Sequence, residues 1–255
     1  MRLLRSIALS FSMFSSLPMP GIDWTRENMR YAICALPLVG GFIGLCLWLW
    51  AWLTEILGCA SFLQAAGFTL LPIVITGGIH LDGFGDTIDA LGSRAGPARK
   101  REILKDPRAG TFAVIGIASY LLLYFALCTE LQPGTNTLLL LGLMHVLSRI
   151  WCALAVVCFP TGVGEGLLKT LKDPLDRKWS TIVLSGLFLL CLAAMVFVDR
   201  AAGAAMQVVA LGCALFMLVM SRRQFGGMSG DLAGYLLQLS ELSMLAALIL
   251  IGKVV

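Results

Sequence analysis

Seven apolar windows, residues 31–57, 62–79, 111–129, 137–159, 181–198, 203–220 and 235–251, decide what this chain can become. Each is close to the roughly 20 residues that a helix needs to cross a bilayer. Charged residues make up 13% of the chain, against about 25% in a soluble globule. Too few charges remain to coat a water-facing surface, which excludes a soluble enzyme and a disordered chain. The net charge of +4 is not gathered into a basic stripe, so nucleic acid is not expected as a partner. The expectation is an all-α, polytopic membrane bundle of about seven transmembrane helices, forming a single catalytic domain over residues 1–255. One re-entrant window would lower the count to six.

Lys and Arg assign the sides of such a bundle. Arg2, Arg5, Arg26 and Arg30 precede the first window, and Arg94, Arg99, Lys100, Arg101, Lys105 and Arg108 lie between the second and third. Lys169, Lys172, Arg177 and Lys178 follow the fourth, and Arg222 and Arg223 follow the sixth. Sixteen of the 19 basic residues thus fall on alternate connections. These are expected on the cytoplasmic side of a bacterial inner membrane, together with the N-terminus. Arg200 and Lys253 fall outside, and Arg149 sits within the fourth window. Arg2 and Arg5 ahead of residues 7–14 faintly suggest a signal peptide, but Ser10, Ser12, Ser15 and Ser16 interrupt the apolar run. An interfacial helix fits better. Seven of the eight cysteines lie inside the windows and read as small buried apolar side chains rather than disulfides.

Chemistry concentrates where the second window ends, in Gly77-Gly78-Ile79-His80-Leu81-Asp82-Gly83-Phe84-Gly85-Asp86-Thr87-Ile88-Asp89. Asp82, Asp86 and Asp89 stand at i, i+4 and i+7, within an arc of roughly 60° on one helix face. No basic residue separates them, so they repel one another unless a cation sits among them. Mg²⁺ suits carboxylate oxygens and keeps waters that phosphate oxygens can replace. The other reading is that the acids merely solvate a helix end. Gly83 and Gly85 each cost about 1 kcal/mol inside a helix, which leaves room for a kink or for a phosphate approaching the backbone. His80 reads either as a base or ligand or as an interfacial histidine with a hydrogen-bond partner.

Downstream, Lys105, Asp106 and Arg108 border the third window. Basic residues in such a loop are usually topological, yet Arg offers a planar fork to phosphate and Lys a point charge. A cation site flanked by these groups suits a diphosphate. Arg149 costs at least about 2.5–3.5 kcal/mol if it faces lipid, so it must face inward, with His145 one turn before it. Glu241, in the last window, reads as the other buried ion, and an Arg149–Glu241 pair is the structural alternative to a substrate contact. The glycines of Phe225-Gly226-Gly227-Met228-Ser229-Gly230-Asp231 would expose backbone N–H groups to an anion, or simply make a tight connection.

These runs resemble the cobalamin synthase family (adenosylcobinamide-GDP ribazoletransferase). Gly78 to Asp89 is similar to its G-x-H-[LE]-D-G-L-A-D-T-x-D signature. Ile103-Leu104-Lys105-Asp106-Pro107-Arg108-Ala109-Gly110-Thr111-Phe112 is similar to I-M-K-D-S-R-I-G-T-F. Gly227-Met228-Ser229-Gly230-Asp231-Leu232-Ala233-Gly234, with Glu241 beyond, resembles G-x-T-G-D-x-x-G and a later Glu. Leu36-Pro37-Leu38-Val39-Gly40 fits P-x-x-G. Phe84-Gly85 replaces Leu-Ala, Ala90 replaces Gly and Pro107 replaces Ser, while residues 160–166 match loosely.

The resemblance implies transfer of cobinamide phosphate from adenosylcobinamide-GDP to α-ribazole or its 5′-phosphate, releasing GMP. It implies Mg²⁺ as cofactor, held by Asp82, Asp86 and Asp89, with Asp231 on a second ion or on substrate. His80, Lys105, Asp106 and Arg108 would join these aspartates in catalysis, and Lys105, Arg108, Arg149, Asp231 and Glu241 would bind substrate. The lipid bilayer is the other expected partner, and homo-oligomerisation stays open. Three alternatives stand beside this reading. A membrane prenyltransferase would show two acid-rich motifs, a CDP-alcohol phosphotransferase D-G-x-x-A-R, and a transporter would use Arg149 and Glu241 as an ion path.

Overall fold

The computed structural model describes residues 2–132, 134–162 and 167–254, so Val163–Gly166 of the loosely matching segment lie outside the described residues. Among the described residues the regular structure is all helical, apart from a single bridge between Thr161 and Met228. In chain order the helices are α1 (Arg2–Phe14), α2 (Arg26–Met29), a 3₁₀ turn (Ala32–Ala35), α3 (Leu36–Ile56), α4 (Ser61–Thr76) and α5 (Ile79–Gly92). There follow α6 (Pro97–Ile103), α7 (Thr111–Thr129), α8 (Thr135–Cys158), α9 (Leu167–Lys172), α10 (Arg177–Val198), α11 (Arg200–Met220), a π-helical turn (Ser221–Phe225) and α12 (Gly230–Val254).

Six helical stretches, Arg26–Ile56, Thr111–Thr129, Thr135–Cys158, Arg177–Val198, Arg200–Phe225 and Gly230–Val254, are long and apolar enough to cross a membrane. The pair α4–α5 makes a seventh only as a broken span, because its two halves meet at 94°. Window 62–79 therefore does not run straight through. Hydropathy continues into Ile79, but Gly77 (φ +62°) and Gly78 (φ +78°) adopt left-handed backbone that L side chains rarely take. Their N–H groups close the last turn of α4 onto the carbonyls of Val74 and Ile73 at 3.2 and 2.9 Å. The Gly78 carbonyl then accepts the Asp82 N–H at 2.9 Å and starts α5 in its new direction.

α8 forms the centre of the bundle. Leu140, Leu141, Met144, Leu147 and Ile150 are all fully or almost fully buried. By contrast Leu122 of α7 and Leu190 and Phe197 of α10 point outward and exposed. An apolar rim of this kind around a packed centre is what a lipid solvent demands. α1 lies against α2, α3 and the 3₁₀ turn, with Leu9 and Phe14 buried and Leu3 and Leu4 exposed. Ser16 pins its end to the α4 bend, donating its backbone N–H to Ile75 O at 2.8 Å and its hydroxyl to Val74 O at 2.7 Å.

Arg30 pairs with Asp176, Lys172 donates to the Phe159 carbonyl, and Lys100 donates to Gln224 Oε1; with the Thr161–Met228 bridge between the two groups, these basic connections meet at one end of the bundle. Lys253 instead pairs with Glu130 at the other end. All eight cysteines are free thiols.

Candidate functional site

A cavity of about 380 Å³ opens where α5, α6 and the start of α12 converge. His80 and Asp82 reach it from α5, Arg101 from α6, Lys105 from the following loop, and Asp231 from α12. The close crossing of α5 and α12 makes this possible. A Cβ on Gly83 would stand 2.8 Å from the Asp231 Cα, and one on Gly234 would stand 2.8 Å from the His80 carbonyl oxygen. The helix penalty of Gly83 is thus offset by backbone contact, and α5 stays helical through both Gly83 and Gly85. This corrects the expectation of a kink in the motif: the bend lies earlier, at Gly77-Gly78. It also removes Gly83 as a place where phosphate meets bare backbone, since α12 occupies that face. Phe84 stacks on Tyr235 at 5.3 Å between centroids, and the Tyr120 hydroxyl donates to Gln238 at 2.5 Å. Gly83→Ala is expected to force the helices apart at a cost of about 1–3 kcal/mol, read as a lower melting midpoint in detergent and a loss of turnover.

The three motif aspartates do not share one point. Asp82 faces the cavity, whereas Asp86 and Asp89 follow on later turns of α5 and are half-buried. The Asp89 carboxylate fills the room left by the missing side chain of Gly110, where any Cβ would collide with it. The motif and the Lys105–Gly110 loop therefore touch directly. Asp82, Asp89 and Asp231 all lie near enough for their charges to act on Asp86. Among the described residues, no three His, Cys, Asp or Glu side chains converge on one metal position. Such an open set still fits Mg²⁺, which commonly takes one or two carboxylates and fills its octahedron with water and phosphate oxygens. Asp82 and Asp231, facing one cavity from two helices, would be such a pair.

The basic loop divides differently from its sequence reading. Arg108 donates Nε and Nη2 to Asp106 at 2.9 Å each, and both residues face outward. This neighbour holds the Asp106 carboxyl down to about 2. Neither residue lines the cavity. Arg101, read from the sequence only as a topological charge, lines it instead, while its Nη1 donates to the Phe225 carbonyl at 3.0 Å. A positional signal was available. Arg101, Leu104 and Lys105 stand at i, i+3 and i+4, one helical face, and all three line the cavity. Lys100, buried, donates to Gln224 Oε1 at 2.6 Å and ties α6 to the π-helical turn.

The glycine loop spends part of its backbone internally, contrary to the expectation of free N–H groups. Gly227 N–H goes to Ser221 O at 2.9 Å and Met228 N–H to Pro160 O at 2.7 Å, while Met228 O accepts Gly162 N–H at 3.1 Å. Ser229 Oγ accepts the Leu232 N–H at 3.2 Å and caps α12.

Arg149 and Glu241 lie apart from the cavity wall, in a buried network. Glu241 Oε1 accepts from Arg149 Nη1 at 2.7 Å and Ser148 Oγ at 2.8 Å, and lies 2.8 Å from His145 Nδ1. The structure thus realises the ion-pair alternative for both. His80 is different. It is buried beside the cavity, stacked on Phe14 at 6.2 Å, and its Nδ1 has no hydrogen-bond partner among the described residues.

Known proteins resemble the chain along nearly its whole length. It is 36% identical over 242 residues to an adenosylcobinamide-GDP ribazoletransferase of Lachnoclostridium phytofermentans, covering 95% of this chain and 92% of that protein. Proteins of the same name from Ectopseudomonas mendocina and Stutzerimonas stutzeri are 38% identical over 251 residues and 36% over 250 residues, with 96% of this chain covered in each case and 97% and 96% of those proteins. No solved structure matches the chain. Residues 6–249 match the family described as cobalamin-5-phosphate synthase, and the chain belongs to that family.

Proposed function

We infer that the protein is an adenosylcobinamide-GDP ribazoletransferase. It would move cobinamide phosphate from adenosylcobinamide-GDP to the 3′-hydroxyl of α-ribazole, or of its 5′-phosphate, and release GMP. The observation that carries this reading is one cavity at which Asp82 and Asp231 face Lys105 and Arg101. A diphosphate needs both kinds of partner, cation-holding oxygens and anion-holding nitrogens, within one small space.

In the reaction the acceptor oxygen forms a bond to the phosphorus that bears cobinamide. The bond from that phosphorus to the bridging oxygen breaks, and GMP leaves with the bond's electrons. Lys105 and Arg101 would hold the phosphoryl oxygens and stabilise the charge that gathers on the departing phosphate. His80, whose Nδ1 is buried and without a partner among the described residues, would take the proton of the attacking hydroxyl. Asp82 and Asp231, supported by Asp86 and Asp89, would hold Mg²⁺, which supplies Lewis-acid neutralisation of the diphosphate. Arg108 and Asp106 border this arrangement from the loop that Asp89 touches. The gathering of basic connections at the cavity end supports a cytoplasmic active site in a bacterial inner membrane.

The test is purified protein in lipid nanodiscs with adenosylcobinamide-GDP and α-ribazole. GMP and a cobalamin product should appear in equal amounts with Mg²⁺ and stop on chelation. Absence of GMP with Mg²⁺ present overturns the assignment, and turnover indifferent to chelator overturns the metal.

A further inference from the structure

We propose that the apolar half of the cavity binds the benzimidazole ring of the acceptor, with Val156 of α8 setting the room available to it. This rests on the transferase reading above and adds which substrate part goes where. The cavity lining is chemically mixed. Its charged groups come from α5, α6, the loop after α6 and α12, whereas α1, the 3₁₀ turn, α8 and α9 bring only carbon and sulfur to it: Phe14, Ile33, Cys152 and Val156, and Leu171. Cys152 and Val156 stand one helical turn apart on the same face, and each is almost wholly removed from the outside.

Three organic parts compete for that apolar lining. The corrin macrocycle is ringed by amide arms, whose donors and acceptors an apolar lining leaves unpaired. Guanine carries donors and acceptors around its edge, and an apolar wall leaves them unpaired at a substantial desolvation cost. A dimethylbenzimidazole is flat, apolar and small enough, so burying it is favourable. Phe14 of the apolar lining stacks on His80, and this contact between the two kinds of lining sets the polarity of binding. With the base against Val156, the attached ribose extends towards His80 and Asp82. The nucleophilic hydroxyl then lies on the same side as the groups that hold the diphosphate, which is the positioning that in-line attack requires.

The experiment measures binding of α-ribazole alone, by its own fluorescence, to the full-length protein in nanodiscs, beside steady-state kinetics. Wild type should bind α-ribazole saturably without the donor. Val156→Phe should weaken that binding at least tenfold and raise the KM for α-ribazole to match, with the KM for adenosylcobinamide-GDP changed less than twofold. Cys152→Met, which fills the same wall with a flexible chain, repeats the measurement should Val156→Phe not fold. Lack of saturable α-ribazole binding by wild type overturns the proposal. So does a Val156→Phe effect on the donor KM alone, or displacement of α-ribazole by GMP at equal concentration. If α-ribazole binds and Val156→Phe weakens it, but no GMP is ever released, the pocket assignment stands and the transferase reading falls.

Discussion

Replacing Asp82 with Asn is expected to lower kcat/KM for GMP release by about 100-fold or more, while the protein inserts and melts as wild type does. Asn keeps the size and shape of the side chain, and Asp82 already faces an open cavity, so no packing is lost. What goes is a full negative charge at the point where α5 meets Asp231 of α12. Asp86→Asn should also act strongly, because Asp86 lies among the charges of Asp82, Asp89 and Asp231. The two variants should differ in one respect. Losing Asp82 removes a ligand oxygen from the cavity and should raise the Mg²⁺ concentration needed for half-maximal rate. Losing Asp86 removes charge from behind it and should act more on the maximal rate. Glu102→Gln is the control. It alters an exposed acid of the neighbouring helix that pairs with Arg99, and should change turnover less than twofold. If Asp82→Asn retained more than half of wild-type turnover, the metal assignment and the diphosphate chemistry built on it would both fail.

Hydropathy made the bundle legible because a membrane span is dictated by one requirement, burial of the backbone in apolar side chains over a fixed length. The α4–α5 bend escaped it, since hydropathy carries no direction and Ile79 prolongs the apolar run across Gly77-Gly78. Two adjacent glycines at a window's end were the available warning. The acid motif was legible as chemistry but not as geometry. Spacing put Asp82, Asp86 and Asp89 on one face, and α5 obeys that. What sequence could not supply was the crossing partner, so Asp231 was seen as accessory although it shares the cavity with Asp82. Arg101 lines the cavity and Arg108 does not, for a similar reason. Arg108 has Asp106 two residues away and bonds to it locally, whereas Arg101 acquires its place through tertiary contact with the Phe225 carbonyl. Local preference is written in a chain, and long-range placement has to be seen.

Arg149→Met is expected to be the most destabilising single change in the α8 centre, by about 3–5 kcal/mol, read as a large fall in melting midpoint. Arg149 is 1% exposed and donates to Glu241 at 2.7 Å. Removing it strands a carboxylate in the packed interior, with Ser148 and His145 as its remaining neighbours. The double change Arg149→Met with Glu241→Leu removes both charges and replaces them with side chains of similar bulk. It should recover most of the lost stability, because the cost of the single change lies in the unpaired ion rather than in the missing bond. The same pair of proteins separates two roles. If Arg149 and Glu241 only hold α8 to α12, the recovered double variant should turn over near the wild-type rate per folded molecule. If instead they position the His80 region, stability should return without activity, with kcat falling while the KM values stay put. A double variant no more stable than Arg149→Met would mean that the pair is not an isolated charge couple. The rest of the network, His145 and Ser148 included, would then be what holds α8 against α12.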